Sequence, residues 1–206
     1  TSFLKPKSVK AAMINAVDTM SSPGRGAYAA AMRAADKVYE CRTLACRLFN
    51  FSEPENVVFT MNATFALNIA IKTLAGHGSR VVISGYEHNS VTRPLHEIGA
   101  EVIVAAGKLF DPDDVVAEFE DKVPGADLVI CNHVSNVFGF IQPIYEISSI
   151  CSRYGVPLII DASQSAGIET IDCCRLDAAF IAMPGHKGLL GPQGTGILLC
   201  GESPKP

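Results

Sequence analysis

Apolar residues gather in seven short runs along the chain, at 56–60, 80–85, 101–105, 127–132, 157–161, 178–183 and 194–200. Most of these runs are apolar at nearly every position rather than at alternate ones, and their length predicts seven β-strands. A strand apolar throughout is buried on both faces, so the sheet is expected to carry helices on each side. Between the runs, patterns of helical period predict helices at 62–75, 90–98, 111–122 and 143–154. The third opens with Asp111 as N-cap and Pro112 at the first helical position, and Pro143 is read as opening the fourth in the same way. Strands alternating with helices predict an α/β fold with a mostly parallel seven-stranded sheet and helices on both faces. The loop before the last strand is too short for a crossover helix, which lets that strand run antiparallel. Two helical stretches, 6–20 and 26–50, precede the first strand, and Ser21-Ser22-Pro23-Gly24 between them reads as a hinge or turn.

Composition narrows the class. A chain of 206 residues, 48% hydrophobic and 18% charged, suits one well-buried core. The net charge of -4 and the lack of basic runs argue against nucleic acid as a partner. No apolar stretch approaches the roughly 20 residues that span a bilayer, so no membrane partner is expected. Residues 1–10 hold three lysines and lack the apolar centre of a signal peptide. The chain has no initiating Met, and a polar tail follows its last strand at once; it is expected to be part of a longer protein. Seven cysteines, an odd number without any Cys-x-x-Cys pair, read as reduced thiols of a cytoplasmic protein with no metal site. The vicinal pair Cys173-Cys174 is weak evidence for anything else.

Candidate chemistry sits where strands end. The run Leu158-Ile159-Ile160 closes on Asp161, at the carboxyl edge where open α/β sheets bind ligands. Taken alone, Asp161 also reads as a cap of the following turn. Lys187 follows the next strand in Gly185-His186-Lys187-Gly188, a segment whose default reading is a solvated loop. Together they say more. Pyridoxal 5'-phosphate (PLP) needs an amine to hold its aldehyde as a Schiff base and a carboxylate to keep its ring nitrogen protonated. A phosphate cradle is available where the first strand leads through Asn62-Ala63-Thr64 into a helix, with free N–H groups, the helix dipole and the Thr64 hydroxyl. Rival phosphate motifs are missing: no Gly-x-Gly-x-x-Gly follows the first strand and no Gly-x-x-x-x-Gly-Lys-Ser/Thr occurs. His88 follows the second strand, suited to stacking and proton transfer, and Asn132-His133-Val134-Ser135-Asn136 brings amides and a hydroxyl to the same rim.

With these segments in order, the chain resembles the class V aminotransferases of fold type I, nearest the cysteine desulfurase and selenocysteine lyase branch. The resemblance runs through Thr60-Met61-Asn62-Ala63-Thr64-Phe65-Ala66-Leu67-Asn68, Glu87-His88-Asn89-Ser90, His133-Val134-Ser135-Asn136-Val137-Phe138-Gly139, Asp161-Ala162-Ser163-Gln164-Ser165-Ala166-Gly167 and Gly185-His186-Lys187-Gly188 with Gly191-Pro192-Gln193-Gly194-Thr195-Gly196. It implies that Lys187 forms the Schiff base and that Asp161 pairs with the ring nitrogen. It further implies that Gln164 and Asn136 bond the ring hydroxyl, that His88 stacks on the ring and assists proton transfer, and that Ala63, Thr64 and His186 hold the phosphate. Two departures stand out: Pro184 takes a place where the family commonly has Ser or Thr, and Asn62 one where Gly is frequent.

The resemblance also divides the chain into an N-terminal helical arm, 1–22, and a large PLP-binding domain, 23–206, with the small C-terminal domain absent. The implied activity is PLP-dependent desulfuration of L-cysteine to L-alanine, with sulfur passed to an enzyme thiol, in a homodimer with a possible sulfur-acceptor protein. The sulfur-accepting cysteine and the arginine for the substrate carboxylate would then lie beyond Pro206, leaving the isolated chain inactive. Transamination, β-elimination, epimerisation and a non-catalytic PLP-fold module remain as alternatives.

Overall fold

The apolar runs become strands to within one or two residues. The structure is a computed structural model and describes residues 4–201. Helices α1 (Lys7–Thr19) and α2 (Ala29–Phe49) come first. There follow β1 (Val57–Thr60), α3 (Ala63–Leu74), β2 (Arg80–Ser84), α4 (Asn89–Ile98), β3 (Glu101–Ala105), α5 (Pro112–Lys122) and β4 (Leu128–Asn132). The chain continues through α6 (Ile144–Tyr154), β5 (Leu158–Asp161), β6 (Phe180–Pro184) and β7 (Gly196–Cys200). The strands form one seven-stranded sheet in the order β1-β7-β6-β5-β4-β2-β3. Strand β7 runs antiparallel to both of its neighbours, and every other pairing is parallel. All the remaining strands therefore point the same way, and their carboxyl ends share one edge.

Two apolar layers cover the sheet. On β4, Leu128 and Ile130 face one layer with Leu67, Ile71, Val91 and Leu95 of α3 and α4. Val129 and Cys131 face the other, with Phe49, Val115, Phe119, Ile147 and Ile150 of α2, α5 and α6. The alternation follows from the two-residue period of a strand. Burial on both faces holds for the central strands but fails at the edges: Val58 and Phe59 on β1, and Val102 and Val104 on β3, are exposed. Helix α1 contributes no buried residue. Among the described residues, no helix is long and apolar enough to cross a membrane.

Helix ends follow local chemistry, with one correction. Asp111 caps α5 by accepting the Asp114 N–H at 3.1 Å, with Pro112 at the first helical position. Pro143 does not repeat that arrangement. It occupies the N-cap position of α6 itself, at φ -78° and ψ 65° and without a side-chain bond, and the helix begins at Ile144. A proline ring offers no acceptor for the free N–H groups, so α6 is fixed by its buried face rather than by its cap.

The loops after β5 and β6 press together through glycines. A Cβ on Gly188 would lie 2.4 Å from the Ala166 carbonyl oxygen, and one on Gly167, at φ +81°, would lie 2.6 Å from that of Gly188. Gly188→Ala should therefore destabilise the chain by roughly 1–3 kcal/mol in urea unfolding. The same change at Gly76, which has nothing within 4 Å, should stay within about 0.5 kcal/mol. Equal effects at the two positions would contradict the close approach.

Candidate functional site

Five segments that follow the carboxyl ends of β1, β2, β4, β5 and β6 converge on one cavity of about 210 Å³. The residues given a cofactor role from the sequence line it, namely Ala63, Thr64, His88, Asn136, Asp161, Gln164, His186 and Lys187, whereas His133 and Ser135 of the rim segment are buried and do not. The register accounts for part of this. Asn132 pairs with Asp161, and Asp161 with Ala182, so three neighbouring strands end side by side before their loops diverge.

At one end stands the N-terminus of α3. The Asn62 side chain accepts the Phe65 N–H at 2.8 Å and its carbonyl accepts that of Ala66. Those bonds leave the Ala63 and Thr64 N–H groups at the positive end of the helix dipole, which is an anion site. His186 adds a ring whose buried Nδ1 has no partner among the described residues, and burial, Lys187 and Lys5 all push its pKa below the ordinary value. Pro184 lines the cavity too and offers no donor.

The base of the cavity brings Asp161 and Lys187 together. Asp161 is 4% exposed, and one of its oxygens accepts the Ser163 N–H at 2.9 Å. Burial raises its pKa, while the Ser163 bonds and the charges of Lys187 and His88 oppose the rise. Burial lowers the pKa of Lys187, with Asp161 opposing. Each thus restrains the other's drift toward neutrality. His88, N-cap of α4, accepts the Ser90 backbone N–H on Nδ1 at 3.1 Å, with Ser90 Oγ at 2.9 Å. A backbone N–H only donates, so the neutral ring carries its proton on Nε2. The cavity combines an anion cradle, a buried carboxylate and an amine of lowered pKa; these are the groups a phosphorylated aldehyde with a basic ring nitrogen requires.

Residues 1–205 match the family described as aminotransferase class-V. The chain belongs to that family. It is 38% identical over 188 residues to a probable cysteine desulfurase of Methanothermobacter thermautotrophicus, covering 87% of this chain and 46% of the relative. A probable cysteine desulfurase of Pyrococcus abyssi is 32% identical over 181 residues, covering 84% of this chain and 45% of the relative. An apo cysteine desulfurase structure from Thermococcus onnurineus superimposes with a TM-score of 0.88 at 30% identity, over 98% of this chain and 52% of that one. The chain spans about half the length of the curated relatives it matches. Class-V aminotransferases and cysteine desulfurases depend on PLP.

Beneath the class-V site lies a polar layer whose role was not foreseen. Glu87 Oε1 accepts from Ser84 Oγ at 2.6 Å and from the Asn132 N–H at 2.7 Å, while its Oε2 is buried without a partner among the described residues. Asn132 donates to the Tyr86 carbonyl at 2.6 Å, and the Gln142 amide donates to the Asn132 carbonyl at 2.7 Å. Burial first, and then the nearby Asp161 charge, push the Glu87 pKa from 4.5 to about 8. His133, 4% exposed, is pushed by burial down to about 4.

The sign for Glu87 follows from proton counting. Between about pH 5 and pH 8 the unfolded chain has ionised Glu87 while the folded chain keeps the proton, so stability falls as pH rises, by at most roughly 1.4 kcal/mol per pH unit. His133 acts in the opposite sense below its ordinary pKa, where only the unfolded chain takes up the proton. Glu87→Gln, which mimics the protonated acid, should remove the alkaline decline and unfold at higher urea than the parent at pH 8, with little difference at pH 5. A parallel pair of stability–pH curves would rule out a protonated Glu87.

Proposed function

We propose that this chain is the cofactor-binding portion of a PLP-dependent cysteine desulfurase, which converts L-cysteine to L-alanine and passes the sulfur to an enzyme thiol. The observation that carries the reading is the meeting of Lys187, Asp161 and the α3 anion cradle in one cavity. The residues present fit the cofactor. Ala63, Thr64 and His186 would hold its phosphate, Asp161 its ring nitrogen, and Gln164 with Asn136 its ring hydroxyl, and His88 would stack on the ring. When bound, PLP supplies an electron sink for the charge left at the substrate's α-carbon.

The chain's own groups do the rest. Lys187 would hold the cofactor through Nζ and would carry a proton to or from the α-carbon, and burial, which lowers its pKa, favours the neutral amine that this work needs. Asp161 keeps the ring nitrogen charged by pairing with it where water is excluded. His88, exposed at the rim, presents Nε2 for proton exchange with the substrate side.

Desulfuration needs a thiolate that can reach the substrate sulfur, and no cysteine lines the cavity. Burial holds the Cys131 thiol far above its ordinary pKa and raises Cys151 and Cys173 to about 12. No arginine lines the cavity to receive the substrate carboxylate. We assign both groups to the part of the protein outside this chain, and treat residues 1–22 as an arm and 23–206 as the PLP domain of a homodimer that can pass sulfur to an acceptor protein.

Borohydride reduction of the PLP-loaded full-length protein, followed by peptide mapping, should place the phosphopyridoxyl group on Lys187. Label on another lysine with Lys187 unmodified would sink the assignment. Asp161→Ala should still accept PLP but release alanine from L-cysteine at least about a hundredfold more slowly, roughly 3 kcal/mol of barrier. A near-normal rate would remove Asp161 from the mechanism. Full-length protein that transaminates without releasing sulfur would transfer the proposal to another class-V reaction.

A further inference from the structure

We propose that Lys5 is the cationic clamp of the phosphate end of the cavity, holding the 5'-phosphate of PLP; this deepens the PLP reading above and rests on it. Lys5 lies immediately before α1 in the chain, 181 positions from the residue it touches, and its Nζ donates to the His186 carbonyl at 2.7 Å. That carbonyl belongs to the peptide joining His186 to Lys187, both of which line the cavity. The ammonium is half-buried, and among the described residues it forms no ion pair. One of its three protons is spoken for by the carbonyl, and two remain for an anion.

The charge balance of the cavity calls for such a group. A phosphate monoester near neutral pH carries between one and two negative charges. Among the described residues that line the cavity, Lys187 is the only lysine or arginine, and its nitrogen is assigned to the aldehyde. The Ala63 and Thr64 N–H groups supply dipoles and Pro184 supplies nothing. His186 is held toward its neutral form by burial and by the positive fields of Lys187 and Lys5. The 2.7 Å bond to the His186 carbonyl sets the Lys5 ammonium beside that residue of the cradle. Lys5, held against the His186 carbonyl just before α1, brings a further full positive charge to the phosphate end.

The test compares two aldehydes that differ only in the phosphate, PLP and pyridoxal, titrated into the apo protein and followed by absorbance of the bound chromophore. Lys5→Met should raise the Kd for PLP about fivefold to tenfold, the scale of one partly screened charge, and leave pyridoxal within about twofold. Lys5→Arg should recover most of the PLP affinity, and added salt should shrink the gap between parent and Lys5→Met. An unchanged PLP affinity in Lys5→Met would overturn the proposal. So would an equal loss for both aldehydes, which would make Lys5 a packing anchor for the arm. Parent protein that binds pyridoxal as tightly as PLP would leave the Lys187 assignment standing and remove the phosphate clamp. Parent protein that takes up neither aldehyde would defeat the PLP reading itself, and this one with it.

Discussion

Asp161 ends the central strand of the sheet with 4% of its surface exposed, and an ionised carboxyl there has lost nearly all its water. An isolated charge in that position would take up a proton. The Ser163 N–H, Lys187 and His88 each favour the charged form against burial. They come from three different loops, so the folded arrangement of β2, β5 and β6 is what makes the anion tenable. Glu87 shows the alternative outcome nearby. It has two donors on one oxygen and none on the other, and Asp161 repels its charge, so it holds its proton to about pH 8. Burial raises the pKa of both carboxyls of this polar layer, and Asp161 differs in having Lys187 and His88 to oppose the rise.

Topology makes that meeting possible. A parallel sheet collects the carboxyl ends of its strands along one edge, and loops that leave there can surround a common point. The single reversed strand, β7, lies between β6 and β1 and keeps both of those pointing the same way. The α3 N-terminus is thereby carried to the edge that bears Lys187. The glycine contact between Gly167 and Gly188 then draws the loops carrying Gln164 and Lys187 together.

How much of this was legible in the sequence depended on range. Every candidate residue that lines the cavity follows an apolar strand within a few positions, a local signal that needs no knowledge of partners. The edge strands misled because a run of Val and Phe looks the same whether or not a helix covers it; β1 and β3 are apolar yet exposed. Pro143 misled because a proline fits both the N-cap and the first helical position. Glu87 stood in a quoted motif without a role, since its bond from the Asn132 N–H, 45 positions away, forms only on folding. Lys5 was one of three lysines near the start, and nothing local separates it from Lys7 or Lys10; only folding brings it to His186.

The division of labour within the parent protein follows from what the cavity contains. On the reading proposed here, the groups on this chain serve steps common to PLP chemistry: anchoring, ring charge and proton movement at the α-carbon. None of them distinguishes sulfur withdrawal from transamination. That choice requires a nucleophile placed against the substrate side chain and a cation placed against its carboxylate. The cavity presents no cysteine and no arginine, and the thiols of β4 and α6 are packed inside the apolar layer, where thiolate formation is opposed. A buried sheet edge can hold its charges rigidly, which suits groups that must stay fixed through every step. A sulfur carrier must approach and then leave, and a mobile segment outside such a sheet meets that demand where these packed strands cannot.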